Sequence, residues 1–150
     1  MHTAVGRHAL QADIVVMAAA VADYTPQQRA RGKIEKAEMP LELSLVRTPD
    51  ILLELGRSRG GRRRPVLVGF AAESGDPVER GRQKLARKGA DLIVANDISA
   101  EGLGFDSDMN AAIIIAHDGT ETFPAGPKSA LAAVILDRAA ALLARAEARP

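Results

Sequence analysis

Three short apolar runs constrain this chain more than anything else in it: Ile14–Ala19, Pro65–Phe70 and Ala90–Ala95. Each is apolar on nearly every residue and contains β-branched side chains, so both of its faces need cover. Strands of a parallel sheet with helices on both sides meet that demand. A buried helix would read the same way over so few residues, and the flanking residues have to decide.

They favour strands. Thr48-Pro49-Asp50 opens a stretch with Ile51, Leu52 and Leu55 on one helical face. Thr48 suits an N-cap, Pro49 the first helical position, and Asp50 the positive end of the helix dipole. Asp76-Pro77-Val78-Glu79 repeats the device, and Gly89 supplies a left-handed stop. Lys84 and Lys88 are four apart and share a face of that second helix. Leu41–Leu45 alternates with period two and predicts a half-buried strand. Ala112–Ala116 and Thr120–Phe123 flank Asp118-Gly119 as a β-hairpin, and Ser129–Glu147 predicts a long closing helix. Gln27–Gly32 and Ser58–Arg64 read as loops.

The expected fold is α/β: a Rossmann-like three-layer domain, mostly parallel sheet, with a carboxy-terminal β-hairpin and closing helix. The 150 residues contain no internal repeat and form one expected domain, able to bury roughly two-thirds of its unfolded surface. Met1–Leu10 reads as the tail of a helix, with no strand or Gly-rich phosphate loop before it. The expectation is therefore a unit truncated at its amino terminus.

Composition removes several classes of function. Lys plus Arg number 20 and Asp plus Glu 19, a net charge of +1 that does not suit a nucleic-acid binder held by counterion release. There is no cysteine, hence no disulfide, thiolate zinc site or cysteine nucleophile, and the three scattered histidines make no metal cluster. The longest apolar run, Ile14–Ala22, is far short of a membrane span. A cytoplasmic protein without nucleic-acid or membrane partners is expected.

In open α/β sheets ligands bind beyond the carboxyl ends of the strands. There the three runs lead into Ala22-Asp23-Tyr24, Glu73-Ser74 and Asn96-Asp97-Ile98-Ser99, polar clusters expected along one rim. Asp23 suits a ligand hydroxyl, a base amino group or magnesium, and equally a turn. Ala18, Ala19 and Ala20 would let a flat ligand approach the backbone, or simply pack. Phe70 suits a base, with core filling the default. Lys84 and Lys88 suit phosphates or a solvated helix face. Lys33 and Lys36 sit in a connection suited to a mobile flap, or serve solubility alone.

Three other patterns carry less. Asp106-Ser107-Asp108-Met109-Asn110 imitates a calcium loop but continues with Ala111 where glycine is required. Arg57–Arg64 holds five arginines without interleaved aromatics and reads as a solvated loop. No complete G-x-G-x-x-G or Walker loop is present, which disfavours a nicotinamide oxidoreductase.

Taken together, several segments resemble the phosphopantothenate–cysteine ligase family, the domain that bacteria usually fuse behind a flavin-dependent decarboxylase. They are Ala18–Tyr24, Lys33–Lys36, Arg47–Leu52, Val68–Ser74, Gln83-Lys84 with Lys88, Val94–Ser99 and Gly104–Asn110, in order and spanning roughly Ala12 to Leu143. The resemblance implies activation of 4′-phosphopantothenate by CTP to an acyl-cytidylate, followed by attack of the cysteine amine. Mg2+ would accompany the CTP, and no flavin belongs to this domain. Met17, Ala18, Ala19, Asp23, Lys33, Pro49, Asp50, Ile51, Leu52, Phe70, Lys84 and Lys88 match the family's nucleotide site, with Lys33 the catalytic lysine of its flap. No residue matches a metal ligand. The five side chains of Asp23, Lys33, Phe70, Lys84 and Lys88 are expected around one triphosphate pocket.

The chain departs from the family at Glu35, where the flap often has another lysine, and at Ser74, which replaces a common threonine. The Gly-rich opening segment and its asparagine are absent, so the chain alone is expected not to complete catalysis. The resemblance also implies a homodimer, for which Leu41–Leu45 offers an edge. The alternative reading is a non-catalytic nucleotide-binding or regulatory subunit that keeps the fold and dimerises.

Overall fold

The computed structural model describes residues 1–36, 40–73, 76–97 and 107–148. They fall into two compact units, one made of Met1–Ala18 with Ile51–Pro150 and the other of Ala19–Asp50. Ser74, Ile98, Ser99 and Gly104–Asp106 lie outside the described residues.

The larger unit is a five-stranded sheet with helices on both faces. Its elements are α1 (His2–Ala9), β1 (Ile14–Met17), α2 (Ile51–Ser58), β4 (Val66–Glu73), α3 (Pro77–Lys88), β5 (Leu92–Asp97), β6 (Met109–Ala116), β7 (Gly119–Pro127) and α4 (Lys128–Glu147); β2 (Tyr24–Pro26) and β3 (Leu45–Arg47) belong to the smaller unit. The sheet order is β1-β4-β5-β6-β7. β1, β4 and β5 are parallel, with Met17 opposite Gly69 and Phe70 opposite Val94, while β6 and β7 add antiparallel pairs. The three apolar runs are these parallel strands.

Strand alternation explains why the runs are apolar throughout. Leu67, Ala71, Ile93, Ala95 and Ile115 point to the face covered by Ala9 of α1, Ile51 and Leu55 of α2, and Leu85 of α3. Val66, Val68, Leu92, Val94, Ala112 and Ile114 point to the other face, under Leu131, Ile135 and Ala139 of α4. Leu67, Val68, Leu92, Val94, Ile114 and Ile115 are fully buried.

Local signals act where the sequence placed them, with shifts of a residue or two. Asp76 caps α3, its Oδ1 accepting the amide N–H of Val78 at 3.0 Å and of Glu79 at 3.1 Å. Gly89 ends that helix at φ 61°. Gly81 lies against Ile115, so a Cβ there would collide with that side chain. Thr48 is not the cap of α2. Its hydroxyl donates to the Ala22 carbonyl at 2.6 Å, and the helix opens at Ile51. The hairpin turn is His117-Asp118, with Gly119 already paired to Ala116.

At the amino ends of β4 and β5 one arginine joins three segments. Arg59 is ion-paired with Asp91 and donates to the carbonyls of Pro65 at 3.1 Å and Gly89 at 2.8 Å. Asp91 in turn accepts the Leu67 N–H at 2.8 Å.

The smaller unit is built on two antiparallel strands, β2 and β3, with Tyr24 opposite Arg47 and Pro26 opposite Leu45. The period-two segment Leu41–Leu45 is not half-buried as expected: Leu41, Leu43 and Leu45 are 64%, 56% and 55% exposed, and only Leu45 lies in a strand. No described helix is long and apolar enough to cross a membrane.

Candidate functional site

In the larger unit, the sequence-derived residues gather most closely around Gly69. Met17 pairs with it across the β1–β4 ladder. Leu52 of α2 lies directly over it, so that a Cβ at this position would sit 2.5 Å from Leu52 Cδ2 and 3.0 Å from Ile93 Cδ1. Gly69 is thus required by a close approach in a strand interior, and such a glycine is the sequence signal for it. Ile51 is buried and Leu52 half-buried in the core, so what these residues leave for a ligand is the backbone at the start of α2. Ala18 follows Met17 and is exposed.

Phe70 and the two lysines are not brought to one side of the sheet. The Phe70 ring is half-buried against the α4 face. Lys84 and Lys88 belong to the carboxy-terminal half of α3, on the opposite face. The chain leaves that helix through Gly89 toward Asp91, beside Leu67, which places Lys88 toward the amino ends of the strands. Both lysines are half-buried. The physical reason is the antiparallel return of α3 along β4, which carries each successive turn about 5.4 Å farther from the carboxyl rim.

Two residues add to the carboxyl-end rim on the α4 face. Asn110 is 9% exposed, and its Nδ2 donates to Asn96 Oδ1 at 3.2 Å. Alternation in β6 puts Asn110 on the same face as Ala112 and Ile114, while the register shift beside it takes up its extra residue in β7. Sequence reasoning put Asn96 on the rim without assigning it a part and gave Asn110 none. A polar residue heading the apolar strand that follows was the available signal.

In the smaller unit, Asp23 is exposed, and its carbonyl accepts the Thr48 N–H at 2.9 Å, closing the base of the two-stranded sheet. Ala19, Lys33 and Pro49 are also exposed, and Asp50 is half-buried. Lys33 and Lys36 stand in the connection between β2 and β3 without regular structure, as a flap requires.

A cleft of the larger unit lies elsewhere. It measures about 490 Å³ and is lined by α1, α2 and the Arg62–Pro65 loop, with Ile51 its only candidate residue. Among the described residues no group of three His, Cys, Asp or Glu side chains is placed to hold a metal.

The sequence matches the DNA/pantothenate metabolism flavoprotein C-terminal domain over residues 1–143. The chain belongs to that family. The "Coenzyme A biosynthesis bifunctional protein CoaBC" of Mycobacterium tuberculosis is 43% identical over 150 residues, covering 94% of this chain and 36% of that protein. The protein of the same name in Bacillus subtilis is 48% identical over 107 residues, 71% of this chain and 26% of its own length. The chain therefore spans about a third of the curated relatives it matches. Among solved structures, the C-terminal domain of a CoaBC bifunctional protein superposes with a TM-score of 0.73 at 34% identity, over 95% of this chain and 63% of that one. The Streptococcus pneumoniae DNA/pantothenate metabolism flavoprotein shares the fold, with a TM-score of 0.73 at 21% identity over 93% of this chain and 68% of that one. These findings establish the α/β, Rossmann-like architecture expected from the apolar runs.

Proposed function

We propose that this family member supplies the nucleotide-handling part of a phosphopantothenate–cysteine ligase in coenzyme A biosynthesis. The observation that carries the reading is the 43% identity to a coenzyme A biosynthesis bifunctional protein over nearly the whole chain. In that reaction a carboxylate oxygen of 4′-phosphopantothenate attacks the α-phosphorus of CTP, and pyrophosphate leaves. The cysteine amine then attacks the acyl carbon, and CMP leaves with its electron pair.

Lys33 acts catalytically, its ammonium neutralising charge that grows on phosphate oxygens as the flap closes. Asp23 holds a polar group of the nucleotide, and Met17, Ala18, Ala19 and the Pro49-Asp50-Ile51-Leu52 turn supply close-lying backbone. The resemblance also assigns Phe70, Lys84 and Lys88 to nucleotide contacts, which within one chain lie on opposite faces of the sheet. Mg2+ would accompany the triphosphate and would spread its charge. With no acidic or histidine cage among the described residues, that mode of binding suits the donor set.

We further propose a cytoplasmic protein of one ligase-type domain that pairs as a homodimer through the exposed Leu41, Leu43 and Leu45 row. Its assembly includes a flavin-dependent decarboxylase domain, with no flavin bound by this chain. Calorimetric titration with CTP and Mg2+, and with ATP in a parallel arm, tests the reading. Heat with CTP that weakens in Lys33→Ala is expected. Absence of binding to either nucleotide would leave the regulatory or dimerisation subunit as the better reading.

A further inference from the structure

Among the described residues Asn110 is the one polar side chain in the buried set. Burying an amide costs free energy unless its groups are bonded, so the partner it keeps is informative. Its ladder partner in β7 is Gly126, and the Phe123 ring takes the space over that glycine: a Cβ there would sit 3.1 Å from Phe123 Cζ. The β5 side remains, and there Asn110 Nδ2 donates to Asn96 Oδ1.

That bond fixes an orientation as well as a position. A carboxamide has a carbonyl end that accepts and an amino end that carries two donors. With Asn96 Oδ1 held by Asn110, the amino end of Asn96 is the one turned away from β6. Asn96 pairs with Ala72 of β4, one row beyond the Phe70–Val94 pair and on the same face. Val94 is fully buried in the core under α4, whereas Ala72 is exposed and Asn96 half-buried. The cover given by α4 ends between these two rows. The donors of Asn96 thus open onto the carboxyl-end rim, one row above the Phe70 ring.

On the ligase reading above, we propose that Asn110 is a positioning residue that sets nucleotide preference: by holding Asn96 Oδ1, it presents Asn96 Nδ2 to the acceptor edge of a cytosine lying against Phe70. Cytosine offers adjacent acceptors at O2 and N3, whereas uracil carries a hydrogen at N3 and is a donor there. An Asn96 amide free to turn over would offer its carbonyl to the base and so favour the wrong pyrimidine. Asn110 does not touch the base. It acts through Asn96, as a supporting hydrogen bond that keeps a contact group in its productive geometry.

The test uses the full 150-residue chain with its Asn110→Ala, Asn110→Asp and Asn96→Ala variants. CTP and UTP are titrated calorimetrically with Mg2+, and the side-chain amides are followed by heteronuclear NMR. In the parent the Asn96 amide should be ordered and CTP preferred over UTP. Asn110→Ala should release that amide and weaken CTP about three- to tenfold, with UTP nearly unchanged. Asn110→Asp sets an acceptor against Asn96 Oδ1, turns the amide over and should lower the CTP-to-UTP preference about tenfold. Asn96→Ala should lose the same preference, and adding Asn110→Ala to it should cost nothing further. An Asn96 amide that stays ordered in Asn110→Ala overturns the proposal, as do losses that add in the double variant. Equal weakening of both nucleotides also overturns it, in favour of a structural role. A parent that binds neither nucleotide defeats the ligase reading and the base contact together; a parent that binds CTP while every variant keeps the preference defeats this proposal alone.

Discussion

The larger unit and the Ala19–Asp50 unit solve different problems with the same chain. The first buries Leu67, Val68, Leu92, Val94, Ile114 and Ile115 at 0% exposure between helices. The second has no buried residue among those described, and its two-stranded sheet presents Leu41, Leu43, Leu45 and Tyr24 to the outside. A two-stranded hairpin is marginal in water without something to pack against. Position in the larger unit is therefore set by packing, whereas the described residues of the smaller unit have no buried core of their own to set it.

Substitutions should break this contrast in graded steps. Leu67→Ala, in the middle of the sheet core, should cost about 2–5 kcal/mol by chemical denaturation, because its neighbours on a strand cannot close the cavity. Lys33→Ala should leave the denaturation midpoint where it is. In a ligase assay on a catalytically competent protein that contains the chain, it should lower turnover by about 10²–10³. Equal losses of stability and activity from Lys33→Ala would mean that the smaller unit is structural after all. Leu43→Ser should change the stability of the chain by less than about 0.5 kcal/mol, since the side chain is already solvated. The same change should lower the dimer fraction by light scattering.

The smallest effect belongs to the surface of the larger unit. The hydrogen bond from Arg145, helped by the charge of Arg138, holds the Asp118 carboxyl below its usual value despite some desolvation. A lowered folded pKa stabilises the native state above the unfolded pKa, and that contribution is lost as pH falls through the folded value. Asp118→Asn should thus be slightly less stable than the parent at neutral pH and indistinguishable from it in acid, by thermal melts across pH. A difference that persisted in acid would count against the ion pairs as its source.

How much of this was legible beforehand varied with the range of the interaction responsible. Asp76 and Gly89 were readable because a cap is decided within four residues. Leu41–Leu45 misled because period two reports alternation of side chains but not whether anything covers one face. Thr48 looked like a cap and was instead drawn to the Ala22 carbonyl, 26 residues away, a bond no local pattern announces. Asn110 was passed over because its value lies in reaching Asn96 across a strand pair, a partner that no local pattern names.

By itself the sequence determined the layers. Runs apolar on both faces, set between capped amphipathic helices, call for strands covered on both sides. Only the tertiary structure decided which side of the sheet each candidate faces. Phe70 and Lys84 sit in segments whose local signals are equally clear. Their opposite placement follows from strand parity and from α3 running back along β4, both properties of the assembled sheet rather than of any short stretch of chain.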